Sequence, residues 1–306
     1  MNLKTSHADR GYWLSILLLP FIILLTGCNQ STPSLAMPNL SATSPSPTST
    51  VTPLPPSATP VPLAARVNGM EITLAQYQAE LERYKMAFGT ELATEEQHKV
   101  LDDLINQALL AQSAQQEGFV VDDQMVQEHI DQLIAQLGSP QSLTDWMAKY
   151  GYSEDSFRLD LQRSLEAAWM RDKIVAQVPS EAEQVHARQI LLYNSTQADQ
   201  TLAQLKAGKN FGELAAQYDP VTYGDLGWFP RGYLLNKKLE EVAFNLQPGA
   251  FSDVIETEAG FHILLVVEKD PQHPLEPDML LTLQTQAVEN WLQEQRNQGN
   301  IEVLLP

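Results

Sequence analysis

The sequence predicts an α+β protein in which a mostly helical lobe surrounds an inserted unit of mixed helices and strands. Three observations support this class. Capped amphipathic helices fill residues 63–182, strands alternate with short helices over 183–270, and one more amphipathic helix with a short apolar strand occupies 271–306. A chain of 306 residues exceeds what one small core usually organises, so two folded regions are expected.

The first region begins with a predicted hairpin over residues 64–72, because Asn68-Gly69 readily adopts the positive φ of a tight turn. Thr73 and Gln76 form a capping-box pattern that starts a helix through Phe88. Thr94 and Gln97 repeat that pattern. Apolar spacing then predicts helices at 94–117, 122–137, 142–150 and 153–177.

The pattern changes after Pro179. Apolar runs predict strands at 185–193 and 261–268, with helices at 198–208, 211–218 and 236–244 and a glycine-rich turn at 224–227.

The last helix carries an apolar stripe through Leu283, Ala287 and Trp291, and a short strand follows at 301–305. Alone, this helix would leave its stripe in water. We therefore expect residues 271–306 to pack on the N-terminal helical lobe.

The N-terminus carries an export pattern. Lys4 and Arg10 precede an apolar run at 13–25, which is too short to span a bilayer, and Leu25-Thr26-Gly27-Cys28 follows. This tetrapeptide resembles a bacterial lipobox. The resemblance implies a lipoprotein signal peptide at 1–27 and lipidation of Cys28, which would anchor the chain at the extracytoplasmic face of a bacterial membrane. A plain secretory signal or an uncleaved anchor remains an alternative.

Residues 28–62 are predicted to be a disordered tether. The stretch 29–62 has no charged side chain and is dominated by proline, serine and threonine, which cannot build a packed core. A glycosylated stalk is the alternative interpretation.

Composition argues against several function classes. The net charge of −19 repels phosphate backbones, so nucleic acid is not an expected partner. The single cysteine cannot form an internal disulfide or a cysteine-based metal site. The six histidines are far apart in sequence and no nucleotide-binding motif is present, so neither a metal nor a cofactor is expected.

The most informative motifs lie between residues 183 and 270. They are VHARQIL at 185–191, GxxFxxLA at 208–215, GDLGWF at 224–229, ExAF at 241–244 and GFHI at 260–263. In this order they resemble the parvulin family (PpiC type, rotamase) of peptidyl-prolyl cis/trans isomerases. The resemblance implies an FKBP-like α+β domain, isomerase activity and no cofactor. Such catalysis needs an apolar slot for proline and polar groups suited to a twisted amide, because no bond is made or broken.

The parvulin resemblance also implies which residues form the site. Thr257 and His262 would be polar neighbours of a proline slot formed by Leu226, Leu234, Leu239 and Phe244. Taken singly, each of these leucines is better explained as an ordinary core position.

Two positions depart from the parvulin pattern. Gln189 stands where the family usually has a histidine facing the equivalent of His262; glutamine can hydrogen-bond to that ring but cannot titrate. His186 lies an odd number of residues earlier on the strand and is expected to point to the other face. The loop after Asp219 is short, and Asp219 is the candidate for the group that flanks the substrate amide.

The flanking regions contain the Val67-Asn68-Gly69 hairpin, a helix with the pattern Leu104-Ile105-x-x-Ala108-Leu109-Leu110, and a returning helix and strand after the parvulin-like insert. These features resemble the SurA/PrsA class of extracytoplasmic foldases, and with the lipobox they most resemble PrsA-type lipoproteins. This implies a membrane-anchored foldase that isomerises Xaa-Pro bonds in unfolded exported polypeptides. Because of Gln189 and the short loop, weak activity or a non-catalytic chaperone is the alternative. An envelope scaffold without clients is a third hypothesis.

Overall fold

The protein is described here by a computed structural model that covers residues 61–89 and 91–305. Cys28, the predicted signal peptide and nearly all of the predicted tether lie outside these residues. Within them, no helix combines the length and apolar character needed to cross a membrane.

The described chain begins with the predicted hairpin. Strand β1 (Leu63–Val67) pairs antiparallel with β2 (Met70–Thr73). Asn68 and Gly69 join them with φ angles of 50° and 89°, as expected for this turn type.

Five helices follow the hairpin. They are α1 (Leu74–Phe88), α2 (Thr94–Gln116), α3 (Asp123–Leu137), α4 (Pro140–Lys149) and α5 (Glu154–Val175). The Thr73 hydroxyl accepts a hydrogen bond from the backbone N–H of Gln76 at 3.1 Å. The Gln76 side-chain oxygen accepts one from the backbone N–H of Thr73 at 2.9 Å, which completes the predicted capping box of α1. Asp122 caps α3 by a single side-chain hydrogen bond, accepted from the backbone N–H of Met125.

One predicted cap and one predicted helix start among these five helices are wrong. The N-cap of α2 is Ala93 rather than Thr94, and the Glu96 carboxylate rather than Gln97 accepts the Ala93 amide, at 2.8 Å. Helix α4 begins at Pro140, two residues before the predicted start, because Ser139 caps it and proline is tolerated in the first turn.

The second half of the chain contains a four-stranded antiparallel sheet in the order β4-β3-β6-β5. Its strands are β3 (Glu181–Leu192), β4 (Asp225–Pro230), β5 (Ile255–Thr257) and β6 (Gly260–Pro274), and its helices are α6 (Ser195–Lys206), α7 (Phe211–Ala215) and α8 (Lys237–Asn245). Ile190 and Leu192 pack with α6 and α7. Val185 and Ala187 pack with α8 on the opposite face.

The two ends of the described chain meet. Helix α9 (Pro277–Gln298) contacts α2 and α5, and strand β7 (Ile301–Val303) pairs antiparallel with β1. Ala287, Val288 and Trp291 of α9 pack on a buried cluster that includes Leu110 and Met170. The apolar stripe of α9 thus lies against the helical lobe. The predicted α+β fold class is confirmed.

Candidate functional site

Three polar side chains form a connected chain at the end of the sheet. His262 Nδ1 lies 3.1 Å from Gln189 Oε1, and His262 Nε2 lies 2.9 Å from Thr257 Oγ1. The amide oxygen of Gln189 can only accept, so the network assigns the ring proton to Nδ1, and the Thr257 hydroxyl donates to Nε2. The hydrogen bond expected between Gln189 and His262 is present.

His262 is nearly inaccessible to water. Its side chain is 4% exposed, and desolvation lowers the pKa of its imidazole below the usual value of about 6.5. Both ring nitrogens face neutral partners, so no carboxylate in this chain of contacts favours the imidazolium. At neutral pH His262 is therefore an uncharged ring with a defined orientation.

The four predicted slot residues belong to one apolar cluster. Leu239 and Phe244 are buried on α8, and Leu226 and Leu234 pack against them while remaining partly exposed. Leu264 of β6 belongs to the same cluster and lies two residues from His262, so both point to this face of the sheet. The accessible edge of the cluster thus lies on the same sheet face as the polar chain.

Asp219 organises its own loop. One carboxylate oxygen accepts the amides of Val221 and Thr222, each at 3.1 Å. The other accepts the Thr222 hydroxyl and, at 3.3 Å, the Gly224 amide. These bonds lower the pKa of Asp219. The structure therefore gives Asp219 four donors inside the loop, and within the described residues it has no hydrogen bond to Gln189, His262 or Thr257.

The Asp219 loop is joined to the site through Gly224. The backbone N–H of Gln189 donates to the backbone carbonyl of Gly224 at 2.7 Å. Gly224 has a φ of 74°, and a Cβ atom there would lie 1.9 Å from the Gln189 carbonyl oxygen. Only glycine allows the two backbones to lie this close, so the glycine at 224 lets the loop pack directly on β3 at Gln189.

His186 lies on the opposite face, as the strand parity predicts. Its Nε2 atom is 2.8 Å from Asp225 Oδ1, and its ring lies 5.5 Å from that of Trp228. Trp228 in turn stacks on His273. His186 therefore belongs to a separate aromatic group and does not substitute for a histidine at position 189.

One residue next to the slot was not predicted. Glu240 on α8 accepts the Gly232 amide at 2.9 Å and the Leu234 amide at 3.1 Å. It therefore holds the turn that carries Leu234. An acidic residue in the first turn of a helix is common for electrostatic reasons alone, so the sequence carried no signal for this contact.

Two protein-family models match the chain, and the boundary between them lies near the end of α5, just before the four-stranded sheet begins. Residues 174–268 match the PPIC-type PPIase domain. Residues 12–171, more than half of the chain, match the SurA-like N-terminal domain. The chain belongs to the SurA-like family.

Relatives of this SurA-like protein carry foldase and chaperone names. The foldase protein PrsA of Geobacillus sp. (strain WCH70) is 26% identical over 230 residues, which are 72% of this chain and 81% of the relative. The chaperone SurA of Chromobacterium violaceum is 28% identical over 251 residues, 68% of this chain and 57% of the relative. Recognition of a parvulin-type domain within the SurA/PrsA class is confirmed.

Solved structures include a peptidylprolyl isomerase (PrsA) from Bacillus cereus. It is 19% identical to this SurA-like protein, with a TM-score of 0.45, and the match covers 75% of this chain and 87% of that one.

Proposed function

We propose that this SurA-like protein is an extracytoplasmic foldase that catalyses cis/trans isomerisation of Xaa-Pro bonds in exported polypeptides. The observation that carries the proposal is the Gln189–His262–Thr257 chain on the same sheet face as an accessible apolar cluster. The match of residues 174–268 to the PPIC-type PPIase domain supports it.

In this proposal the proline ring binds against Leu226, Leu234, Leu239 and Phe244. Rotation about the prolyl bond crosses a barrier of about 18–20 kcal/mol for a planar amide, without covalent change. The protein's contribution is to bind the twisted amide better than the planar one. His262 is neutral and held at both ring nitrogens, so its role is to maintain the polar wall of the site and not to transfer a proton.

The remaining regions complete the proposal. Residues 63–182 together with 271–306 form the lobe that binds unfolded clients, and residues 183–270 form the isomerase unit. The foldase and chaperone names of the relatives support these two roles. Cys28 is proposed as the lipid attachment point and 28–62 as the tether, on the sequence pattern alone.

The test is exchange spectroscopy by NMR on an unphosphorylated Xaa-Pro peptide with the full chain. We expect accelerated cis/trans exchange, reduced at least about tenfold by His262→Ala and by Leu226→Ala, since each removes one part of the site. His129→Ala is the matched histidine control, because the one hydrogen bond that the His129 ring makes within the described residues is to the Met125 carbonyl of its own helix. Exchange no faster than in buffer would reject the catalytic proposal.

A second candidate is a chaperone whose parvulin unit binds prolyl segments without accelerating their isomerisation. Two observations favour it. Gln189 replaces a titratable neighbour of His262, and the carboxylate of Asp219 is fully occupied by donors of its own loop. This candidate predicts that the wild-type chain suppresses client aggregation without catalysing cis/trans exchange. It also predicts that Gln189→His alone does not produce catalysed exchange.

A further inference from the structure

The C-terminal helix α9 touches the isomerase unit at one turn. Gln286 Nε2 donates to the Gly232 carbonyl at 2.6 Å, and the Tyr233 hydroxyl donates to Asp278 Oδ2 at 3.1 Å. Both contacts fall on the residues directly before Leu234. A helix that packs on the helical lobe therefore also reaches the segment that carries a slot residue.

The same turn is held from inside the isomerase unit. Glu240 accepts the amides of Gly232 and Leu234. Arg231, at the start of the turn, places its guanidinium carbon 4.0 Å from the ring centre of Phe244. The turn is thus linked to two members of the slot. It contains Leu234, and Arg231 at its start contacts the ring of Phe244.

Gly232 lies against α9 in a backbone conformation that favours glycine. Gly232 has a φ of 86°, and a Cβ atom at this position would lie 2.8 Å from Gln286 Oε1 and 3.5 Å from Leu283 Cδ2. A side chain there would strain the backbone, and the Gln286 side chain would have to move. The backbone of the turn is therefore fitted to the surface of α9.

We propose that Gln286 and Asp278 are positioning residues for the proline slot, so that α9 of the helical lobe sets the affinity of the isomerase unit for prolyl peptides. The proposal rests on the proposed function of the slot. Neither residue need touch the substrate, because their effect passes through the Gly232–Leu234 turn to the position of the Leu234 side chain. The isomerase unit is then tuned by a helix that lies outside its own sequence boundaries.

The test compares Gln286→Glu with the wild-type full chain. Glutamate keeps the length of the side chain but removes the donor and places a charge beside the Gly232 carbonyl. Losing one such hydrogen bond corresponds to about a three- to tenfold change in an equilibrium constant. We expect the Kd for an unphosphorylated Xaa-Pro peptide to rise by about that factor, with faster hydrogen exchange at the Gly232 and Leu234 amides. In the exchange assay the apparent KM should rise more than kcat falls.

The matched control is Gln293→Glu on the same helix, because in the part of the chain that the structure describes the Gln293 side chain donates to Asn297 of α9 alone. It should leave the Kd and the two amides unchanged. Tyr233→Phe is a second probe: it removes the donor to Asp278 and keeps the ring, and it should weaken peptide binding in the same direction. Equal melting temperatures for all variants would separate positioning from a loss of folding.

The outcomes distinguish this inference from the proposed function. If the wild-type chain binds the peptide without catalysing exchange, the catalytic proposal fails and the Kd and amide comparisons still decide the role of α9. An unchanged Kd for Gln286→Glu, or unchanged exchange at Gly232 and Leu234, would overturn the positioning role. Absence of any peptide binding by the wild-type chain would also overturn it.

Discussion

His262 combines burial with two neutral hydrogen-bond partners. Gln189 accepts from Nδ1 and Thr257 donates to Nε2. Such a ring resists protonation, because the charged form would lose hydration without gaining a carboxylate. Because glutamine does not titrate, His262 is the one titratable group of the Gln189–His262 pair, and a single protonation step describes the pair.

This makes the pH dependence of stability predictable in sign. The folded-state pKa of His262 lies below its usual value, so the unfolded chain binds the proton more readily. The contribution of His262 to the free energy of unfolding should be complete above about pH 6.5 and should be lost progressively as the pH falls below it. We expect urea unfolding to show this slope in the wild type and to lose that component in His262→Gln.

An imidazole NMR titration provides an independent check. An apparent pKa of His262 at or above that of a histidine in an unfolded peptide would contradict the interpretation of a desolvated neutral ring.

Glu166 is a second buried polar residue, in the helical lobe. Its side chain has 0% exposure and accepts Gln115 Nε2 at 2.8 Å and the Val121 amide at 3.3 Å. Glu166→Ala would leave both donors without this partner and open a cavity. Each unsatisfied donor costs about 1–3 kcal/mol, so we expect a loss of roughly 3 kcal/mol in denaturant unfolding.

Glu128→Ala is the control for this prediction, because Glu128 is exposed and, among residues 61–89 and 91–305, its side chain accepts a hydrogen bond from Gln124 of its own helix alone. It should change stability by less than about 0.5 kcal/mol. Similar losses for the two variants would mean that the buried contacts of Glu166 contribute little.

At the scale of elements, capping and periodicity predicted most of the helices. The helix from Leu74 to Phe88 and the cap at Asp122 follow directly from side chains that satisfy free backbone amides. The short strands β4 and β5 were missed, because three to six residues give little alternation to detect. Strand β3 also begins four residues before its predicted start, since its first residues are mostly polar and are held by pairing with the far end of β6.

The candidate site was predictable to a similar extent. Family motifs and strand parity were enough to bring Gln189 and His262 together and to separate His186 from them. Two contacts could not be predicted in this way. Asp219 accepts hydrogen bonds within its own loop, and Glu240 accepts the backbone N–H groups of the turn before Leu234. Both depend on loop conformation, which local residue types do not determine.

Gly224 offers a test of how the loop after Asp219 is attached to β3. Gly224→Ala would combine a positive φ with a contact of 1.9 Å to the Gln189 carbonyl, so the loop must move. We expect a loss of more than about 2 kcal/mol and a displaced His262 imidazole signal in NMR spectra.

The control is Gly227→Ala, three residues further on. Gly227 also has a positive φ, 69°, but nothing lies within 4 Å of an added Cβ. This variant should show only the backbone cost of roughly 1 kcal/mol. Equal effects at both positions would show that the close approach to Gln189 is not important.

At the scale of the whole molecule, α9 joins the helical lobe to the isomerase unit. Its Trp291 packs with a cluster contributed by α2 and α5. Because Trp291 keeps some exposure, Trp291→Ala should cost roughly 2 kcal/mol, less than a fully buried tryptophan. Denaturant unfolding followed by circular dichroism would measure this loss.

Leu281 is the matched position on the same helix. It is 53% exposed, so Leu281→Ala should change the free energy of unfolding by less than about 0.5 kcal/mol. A loss for Trp291→Ala as small as that for Leu281→Ala would contradict a supporting role of α9 for the lobe.

The pairing of β7 with β1 has a consequence for the order in which the chain assembles. Arg66 and Glu302 form an ion pair across 236 positions of sequence, so β1 cannot complete its pairing until β7 has been synthesised. The isomerase unit lies wholly between these strands and can complete its sheet earlier. A newly made chain should therefore pass through a stage with a finished isomerase unit and an unpaired β1 edge. That edge is a site for wrong pairing with another chain until β7 binds it.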